Sequence, residues 1–350
     1  MIRLGSRPIS STKETTAFGI FGVSPESPDG SRICYTRFLA TPSAKTKDPV
    51  PAELWVCNHD LSNHTKVADL SIKPIHNAAR AAWVDNTRLS FTTHRLTRVL
   101  DVENGSDLVE PVEGDTGHEG HGACILYWTV DGENPSSVAE LDADSGISHT
   151  IVTTEQICDV YRRDTGRDLE PFSVKHLQYS TDGQLICFRL HGPTTEMLSM
   201  RPDGSQLHVY PAQKPVHQLW FDNDTIMGAW KRSPPEGKRS HFFRWSLDGE
   251  VIEELAGSIS HGAASPDRMW YAGETCEYFD SPIRMALYRR GETAPAAVCF
   301  DHDFADITWE RRYHVNPAFS RDGTRLYFWQ AVSDSKVEAR FVDLHGLLDK

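Results

Sequence analysis

One short unit recurs along the 350-residue chain and limits what it can fold into. The unit is Ser-x-Asp-Gly followed at once by an apolar run. It stands at Ser27–Gly30, Ser180–Gly183 and Ser320–Gly323, with variants at Trp83–Asn86 and at Ser265–Asp267. Asp-Gly between alternating apolar residues is a hairpin signal. The runs that follow include SRICYTRF, TRLSFTTH, QLICFRLH and TRLYFWQA. Several units then carry a second strand pair, as in MLSMRPDGSQLHVY and FFRWSLDGEVIEEL. A histidine precedes the turn again and again: His176, His217, His261 and His314, spaced 41, 44 and 53 residues apart. A period of roughly 40–50 residues with four strands each marks a propeller blade.

The expectation is therefore an all-β chain, a seven-bladed β-propeller forming a single domain over residues 1–350. Blades should begin near Phe18, His76, His121, His176, His217, His261 and His314. A two-sheet sandwich would not produce the period. Residues Thr153–Asp168 read as a short helix or a loop, and Leu100–Gly122 as a long polar insertion. An aromatic fraction of 10% with nine Trp suits sheets.

In a propeller the first strand of each blade lines the central channel. Side chains at matched offsets therefore meet at the axis. Six residues separate His176 from Asp182 and His261 from Asp267; His217 lies seven from Asp224 and His314 eight from Asp322. These four should ring one axial pocket. Clustered imidazoles repel when protonated and bring no packing gain, so the cluster points to metal binding or proton transfer. His217 and His176 are the candidate base and acid. Arg189, Lys175 and Lys231 lie near the ring in sequence and can hold carboxylates. His118 and His121, in TGHEGHG, read as a polar loop or as a second metal-like cluster.

A net charge of −13 argues against a general nucleic-acid binder. The seven Cys form no C-x-x-C, and Cys34, Cys187 and Cys299 sit in apolar runs, which reads as buried thiols in a reducing compartment. The first residues lack a signal-peptide core and no run reaches membrane-helix length, so a cytoplasmic protein with no membrane partner is expected. No G-x-S-x-G elbow, P-loop or dinucleotide fingerprint is present in a suitable setting.

Between Pro171 and Phe328 the order of the segments HLQYSTDGQLICFRLHGP, H-Q-L-W, S-H-G-A-A-S-P-D and YHVNPAFSRDGTRLYF resembles the oligogalacturonate lyases. The N-terminal half matches only as generic blades. The resemblance implies a seven-bladed propeller that acts in pectin degradation, cleaving an anionic oligosaccharide by β-elimination at uronate residues. It implies a divalent ion, manganese, held by a His in the penultimate blade and by Gln-x-x-His-x-His-Pro in the last. His261 and His314 match two of those ligands. Arg311 stands at the Gln and Asn316 at the final His, just before Pro317. The family's Cys-His-Glu-Gly-Pro appears here as Arg189-Leu190-His191-Gly192-Pro193, placing Arg189 and His191 at substrate-facing positions. An Arg that normally follows is not evident near Glu196–Met200. These departures imply a divergent relative with an altered substrate, a weakened metal site or lost activity. Arg311 can clamp the carboxylate where an ion would otherwise sit, and Tyr313 can protonate the leaving oxygen or pack. The alternative is a non-catalytic sugar- or protein-binding propeller.

Overall fold

The computed structural model describes residues 2–40, 49–72, 78–131, 134–193, 196–211, 215–231, 240–256, 259–275, 284–292, 294–301, 315–333 and 336–348. Seven antiparallel sheets follow one another along the chain, one per blade. Blade one runs Thr15–Ala17, Arg32–Phe38, Val50–Asn58 and Thr65–Ile72. Blade two comprises Ala82–Trp83, Arg88–Thr93, Leu96–Asp101 and Val112–Glu113; blade three comprises Asp115–Thr116, Cys124–Asp131, Asn134–Asp142 and Ser148–Thr153. Blade four is Ser173–Tyr179, Ile186–His191, Met197–Met200 and His208–Val209. Blade five is Val216–Trp220, Thr225–Lys231, Ser240–Ser246 and Val251–Ala256. Blade six is Ile259–Ala264, Trp270–Thr275, Arg284–Arg289 and Ala297–Asp301.

Blade seven is closed from the other end of the chain. Its strands Ala318–Phe319, Arg325–Ser333 and Lys336–Asp343 are completed by Arg7–Pro8, paired antiparallel to the last of them. Ile2–Arg3 adds a fifth, parallel strand at the edge of blade six. These pairings tie the first residues to the last blades and cover two sheet edges. The seven-bladed, all-β expectation is borne out.

The turn units explain why the hairpins form where they do. In each, the serine hydroxyl donates to the aspartate two residues on: Ser27 to Asp29 at 2.6 Å, Ser180 to Asp182 at 2.8 Å, Ser265 to Asp267 at 2.5 Å and Ser320 to Asp322 at 2.7 Å. The same serine oxygen accepts from the amide five residues on, as from Leu185 at 2.9 Å and Arg325 at 2.8 Å. Gly30, Gly183 and Gly323 take the left-handed backbone that ends the turn, at φ 71°, 71° and 76°.

Packing is between blades. Cys187 and Met197 of blade four meet Trp220, Phe243 and Trp245 of blade five in one apolar cluster, and Ala272 and Leu287 of blade six meet Leu326 and Phe328 of blade seven in another. Residues 153–168 hold a helix, Thr154–Thr165, with a Thr153/Gln156 capping box and a left-handed Gly166 at its end. Its buried Ile157 and Tyr161 pack on blades three and four. Leu100–Gly122 is not a polar insertion: it holds the last strand of blade two and the first of blade three, each two polar-rich residues long. Blade three accordingly starts at Asp115, ahead of His121. Cys34 and Cys299 are buried thiols, and burial pushes each up to about 12.

The ring closure has a polar lock. Glu26 of blade one, 1% exposed, accepts from the Tyr327 hydroxyl and from the Arg321 amide at 2.9 Å, both from the last blade. Removing one donor from a buried carboxylate costs about 2 kcal/mol. Tyr327→Phe should therefore lower the urea midpoint without changing the slope of the transition. An unchanged midpoint would show that the lock contributes nothing.

Candidate functional site

The first strands of blades four, five and six share a defect. Lys175 pairs with Arg189 but Gln178 with Cys187; Val216 pairs with Ala229 but Leu219 with Met227; Ile259 pairs with Thr275 but Gly262 with Gly273. Each inner strand thus carries one residue more than its neighbour over the same span. Such a bulge bends the strand and re-aims a side chain. In blades four and five the re-aimed residue is the histidine itself. His176 and His217 hold φ of 51° and 54°, and Asn316 holds 45° in blade seven. A left-handed backbone is uncommon outside glycine and costs of order 1 kcal/mol or more, and such strain collects at functional positions. The bulge of blade six needs Gly273 beside it. A Cβ there would stand 2.8 Å from the His261 carbonyl oxygen.

Four imidazoles converge on Phe21, which is 1% exposed. The ring centroids of His118, His176, His217 and His261 lie 5.7, 5.2, 5.8 and 5.1 Å from its own. Around the circle, His118 is 5.7 Å from His176 and His176 is 5.8 Å from His217. His217 stacks on His261 at 3.7 Å. His176, His217 and His261 are brought together as expected. His118 was read as part of a polar loop or of a second metal-like cluster; it is 5% exposed and belongs to the ring, with its amide bonded to the Leu177 carbonyl at 2.8 Å. His121 is exposed. In blade seven the residue six before the turn aspartate is Asn316, 2% exposed, and it has the left-handed backbone of His176 and His217. His314, Arg311, Tyr313 and His76 lie outside the described residues. Lys231 ends a blade-five strand.

The surroundings set the chemistry. His217 Nδ1 lies 3.2 Å from the Ser260 carbonyl oxygen, to which it can only donate, and 3.5 Å from the Ser260 hydroxyl. His261 Nδ1 faces the Glu274 carboxylate, whose other oxygen accepts from the Val315 amide at 3.1 Å. Glu274 is 1% exposed, so this contact is shielded from water. Gln178 and Gln218 stitch the inner strands beneath the ring: Gln178 Nε2 donates to the Gln218 carbonyl at 2.9 Å. Burial, reinforced by Arg80, lowers His118 to about 3. Burial, then the neighbouring His118 and His217, hold His176 well below its ordinary value. Both rings are neutral at physiological pH.

Cations flank the ring. Arg189 sits opposite Lys175 at the end of blade four away from the turns, and its buried Nε has no hydrogen-bond partner among the described residues. Burial lowers it to about 10. His191, further along the same strand, is held below its usual value by partial burial and by Arg189 and Lys175. Arg80, at φ 52° in blade two, lies over the Trp128 ring at 4.8 Å. Phe21, Arg80, Gln178, Gln218 and Glu274 were not read from the sequence. A buried-looking Glu inside the apolar run WYAGET was the available signal for Glu274.

The His261–Glu274 contact is the kind that orients a metal-ligating imidazole. Among the described residues, however, no three His, Cys, Asp or Glu side chains are grouped to hold an ion. The described residues do not make a complete metal site.

No family model matches this chain, and no curated protein does. Solved structures do. An oligogalacturonate lyase in complex with manganese aligns over 100% of both chains with a TM-score of 0.68 and 15% identity. An oligogalacturonate lyase from Vibrio parahaemolyticus covers 97% of this chain and 93% of its own, with a TM-score of 0.69 and 13% identity. A chain of the mitotic checkpoint complex covers 96% and 93%, with a TM-score of 0.54 and 14% identity. Among the described residues no helix is long and apolar enough to cross a membrane.

His118 gives a direct test of the buried ring. Below its ordinary 6.5 the unfolded chain binds a proton there that the folded chain excludes down to about 3. The unfolded state then holds more protons, so stability falls as pH falls through that window, by up to about 1.4 kcal/mol per pH unit for one such ring. Chemical denaturation from pH 6.5 downward should show this slope, and His118→Gln should flatten it by about one proton. An identical slope in the variant would mean that His118 titrates normally.

At identities of 13–15% these likenesses show a shared fold: the chain has the seven-bladed propeller of the oligogalacturonate lyases over its full length.

Proposed function

We propose that the chain is a lyase that cleaves uronate-containing oligosaccharides by β-elimination at the axial histidine ring. The observation that carries this reading is the partnerless Nε of Arg189 beside a neutral His176. A buried cation with unused hydrogen-bonding capacity fits a substrate carboxylate, and Arg binds carboxylates through two parallel bonds. The fold shared with two oligogalacturonate lyases supports the same substrate class.

The chemistry follows from the charges. The C5 proton of a uronate is barely acidic while its carboxylate is anionic. Arg189, with Lys175 across the strand pair, neutralises that carboxylate and favours the enolate-like transition state. His217 Nε2 takes the C5 proton, because Nδ1 is committed to Ser260. The C5–H electrons form the C4–C5 double bond, the C4–O bond breaks, and the departing oxygen is protonated from solvent. His176, being neutral, hydrogen-bonds that oxygen. His191 contacts a neighbouring sugar. A manganese-type ion would be held by His261, His314 and Asn316 and would supply further charge neutralisation; no step here depends on it. The reading includes a cytoplasmic setting, supported by six described cysteines that are all free thiols.

The test is the ultraviolet absorbance of the unsaturated product, measured on a panel of short oligouronides with and without chelator. Product should appear, and His217→Ala should lower kcat by about 10²–10⁴-fold. Arg189→Gln should lower kcat/KM more than Arg189→Lys does. Saturable binding of an oligouronide with no product anywhere in the panel would make this a sugar-binding propeller and end the lyase reading.

A further inference from the structure

A cavity of about 420 Å³ lies at the turn end of the channel, the opposite end from Lys175 and Arg189. That volume is in the range that takes small molecules. Its wall draws on the turn regions of four blades, through Ser24, Thr181, Pro266 and Ser320, and on the ring of Trp220. His118 borders it from the axial side. Exposed Thr181 and His121 stand at its rim.

Two guanidinium groups line this space, and they differ. Arg321 is committed: it pairs with Glu119, and its Nε donates to the Glu26 carbonyl at 3.2 Å. Arg268 makes one hydrogen bond, from Nη1 to the Ser265 carbonyl at 3.1 Å, and lies 5.8 Å from the Phe221 ring. Among the described residues no carboxylate comes within ion-pair distance of it. The Arg268 guanidinium therefore has no ion-pair partner among the described residues, and only the more distant Asp222 and Asp267 carboxylates offset its charge.

The backbone gives a second, independent reason. Three of the Ser-x-Asp turns end on left-handed glycine, at Gly30, Gly183 and Gly323. The turn of blade six ends on Arg268 instead, at φ 60°. A side chain in that conformation costs of order 1 kcal/mol relative to glycine. The chain keeps a strained arginine where its own repeat uses glycine, and that arginine lines the cavity. Strain retained against the repeat marks a functional position.

We infer that this cavity is a second binding site, for a small carboxylate-bearing molecule of monosaccharide size, with Arg268 holding the carboxylate. This does not rest on the lyase reading, because the uronate site lies at the other end of the channel. Calorimetry tests it with D-galacturonate as probe and neutral D-galactose as control. The reference chain is the Arg189→Gln, Lys175→Gln double variant, which lacks both cations at the far end. Galacturonate should bind saturably and galactose should not. Adding Arg268→Gly should weaken galacturonate binding by about tenfold or more. The same substitution should leave thermal stability equal or raised, because glycine relieves the left-handed turn. In the chain that retains Arg189, Arg268→Gly should leave uronate turnover unchanged. Equal affinity in the Arg268→Gly chain, galactose binding as well as galacturonate, or no saturable heat would each overturn the proposal.

Discussion

One extra residue per inner strand governs what happens at the axis. A regular strand would alternate its side chains between the two faces of a blade and present the channel with edges only. The bulges at Lys175–Gln178, Val216–Leu219 and Ile259–Gly262 break that alternation at one depth in three successive blades. They turn His176, His217 and His261 inward together. Asn316 and Arg80, also left-handed, hold corresponding places in blades seven and two. The distortion needs rigid support, which comes from inter-blade cores, from the Gln178–Gln218 stitch and from a closure that joins Arg7–Pro8 to the last blade.

Burial then sets the electrostatics. Burial among these rings disfavours charge, so His118 and His176 remain neutral where isolated histidines would begin to protonate. Arg189 on the sheet beside them keeps its charge but lacks a full set of partners. Neutral bases beside an under-satisfied cation form an environment suited to an anion whose neighbouring C–H bond must be broken. Arg268 repeats the theme at the far end of the channel, on a turn rather than on a bulge.

The repeat was legible because its physics is local. A Ser-x-Asp-Gly turn bonds within itself, so its sequence states its geometry, and three of the four expected ring histidines follow from counting back to the strand before it. The rest depends on pairings that no local pattern encodes. His118 was singled out but not counted into the ring, because the first strand of blade three is only Asp115–Thr116, with no such turn behind it. His314 lies outside the described residues, and the count of six before Asp322 falls on Asn316, the other blade-seven residue read as a ligand. Glu274 and Phe21 reach the axis only through the assembled ring. The closing strand at Arg7–Pro8 is two residues long and acquires meaning only from Phe341 and Arg340, more than 300 positions later.

The most direct test of the central claim is nitrogen NMR of the ring-labelled histidines, recorded near neutral pH with and without a short oligogalacturonate. The account predicts neutral imidazoles for His118 and His176 in the free protein, a protonated Nδ1 on His217, and ligand-induced shifts at His176 and His217. Charged rings at His118 and His176, or histidine signals that ignore the ligand while it demonstrably binds, would contradict it.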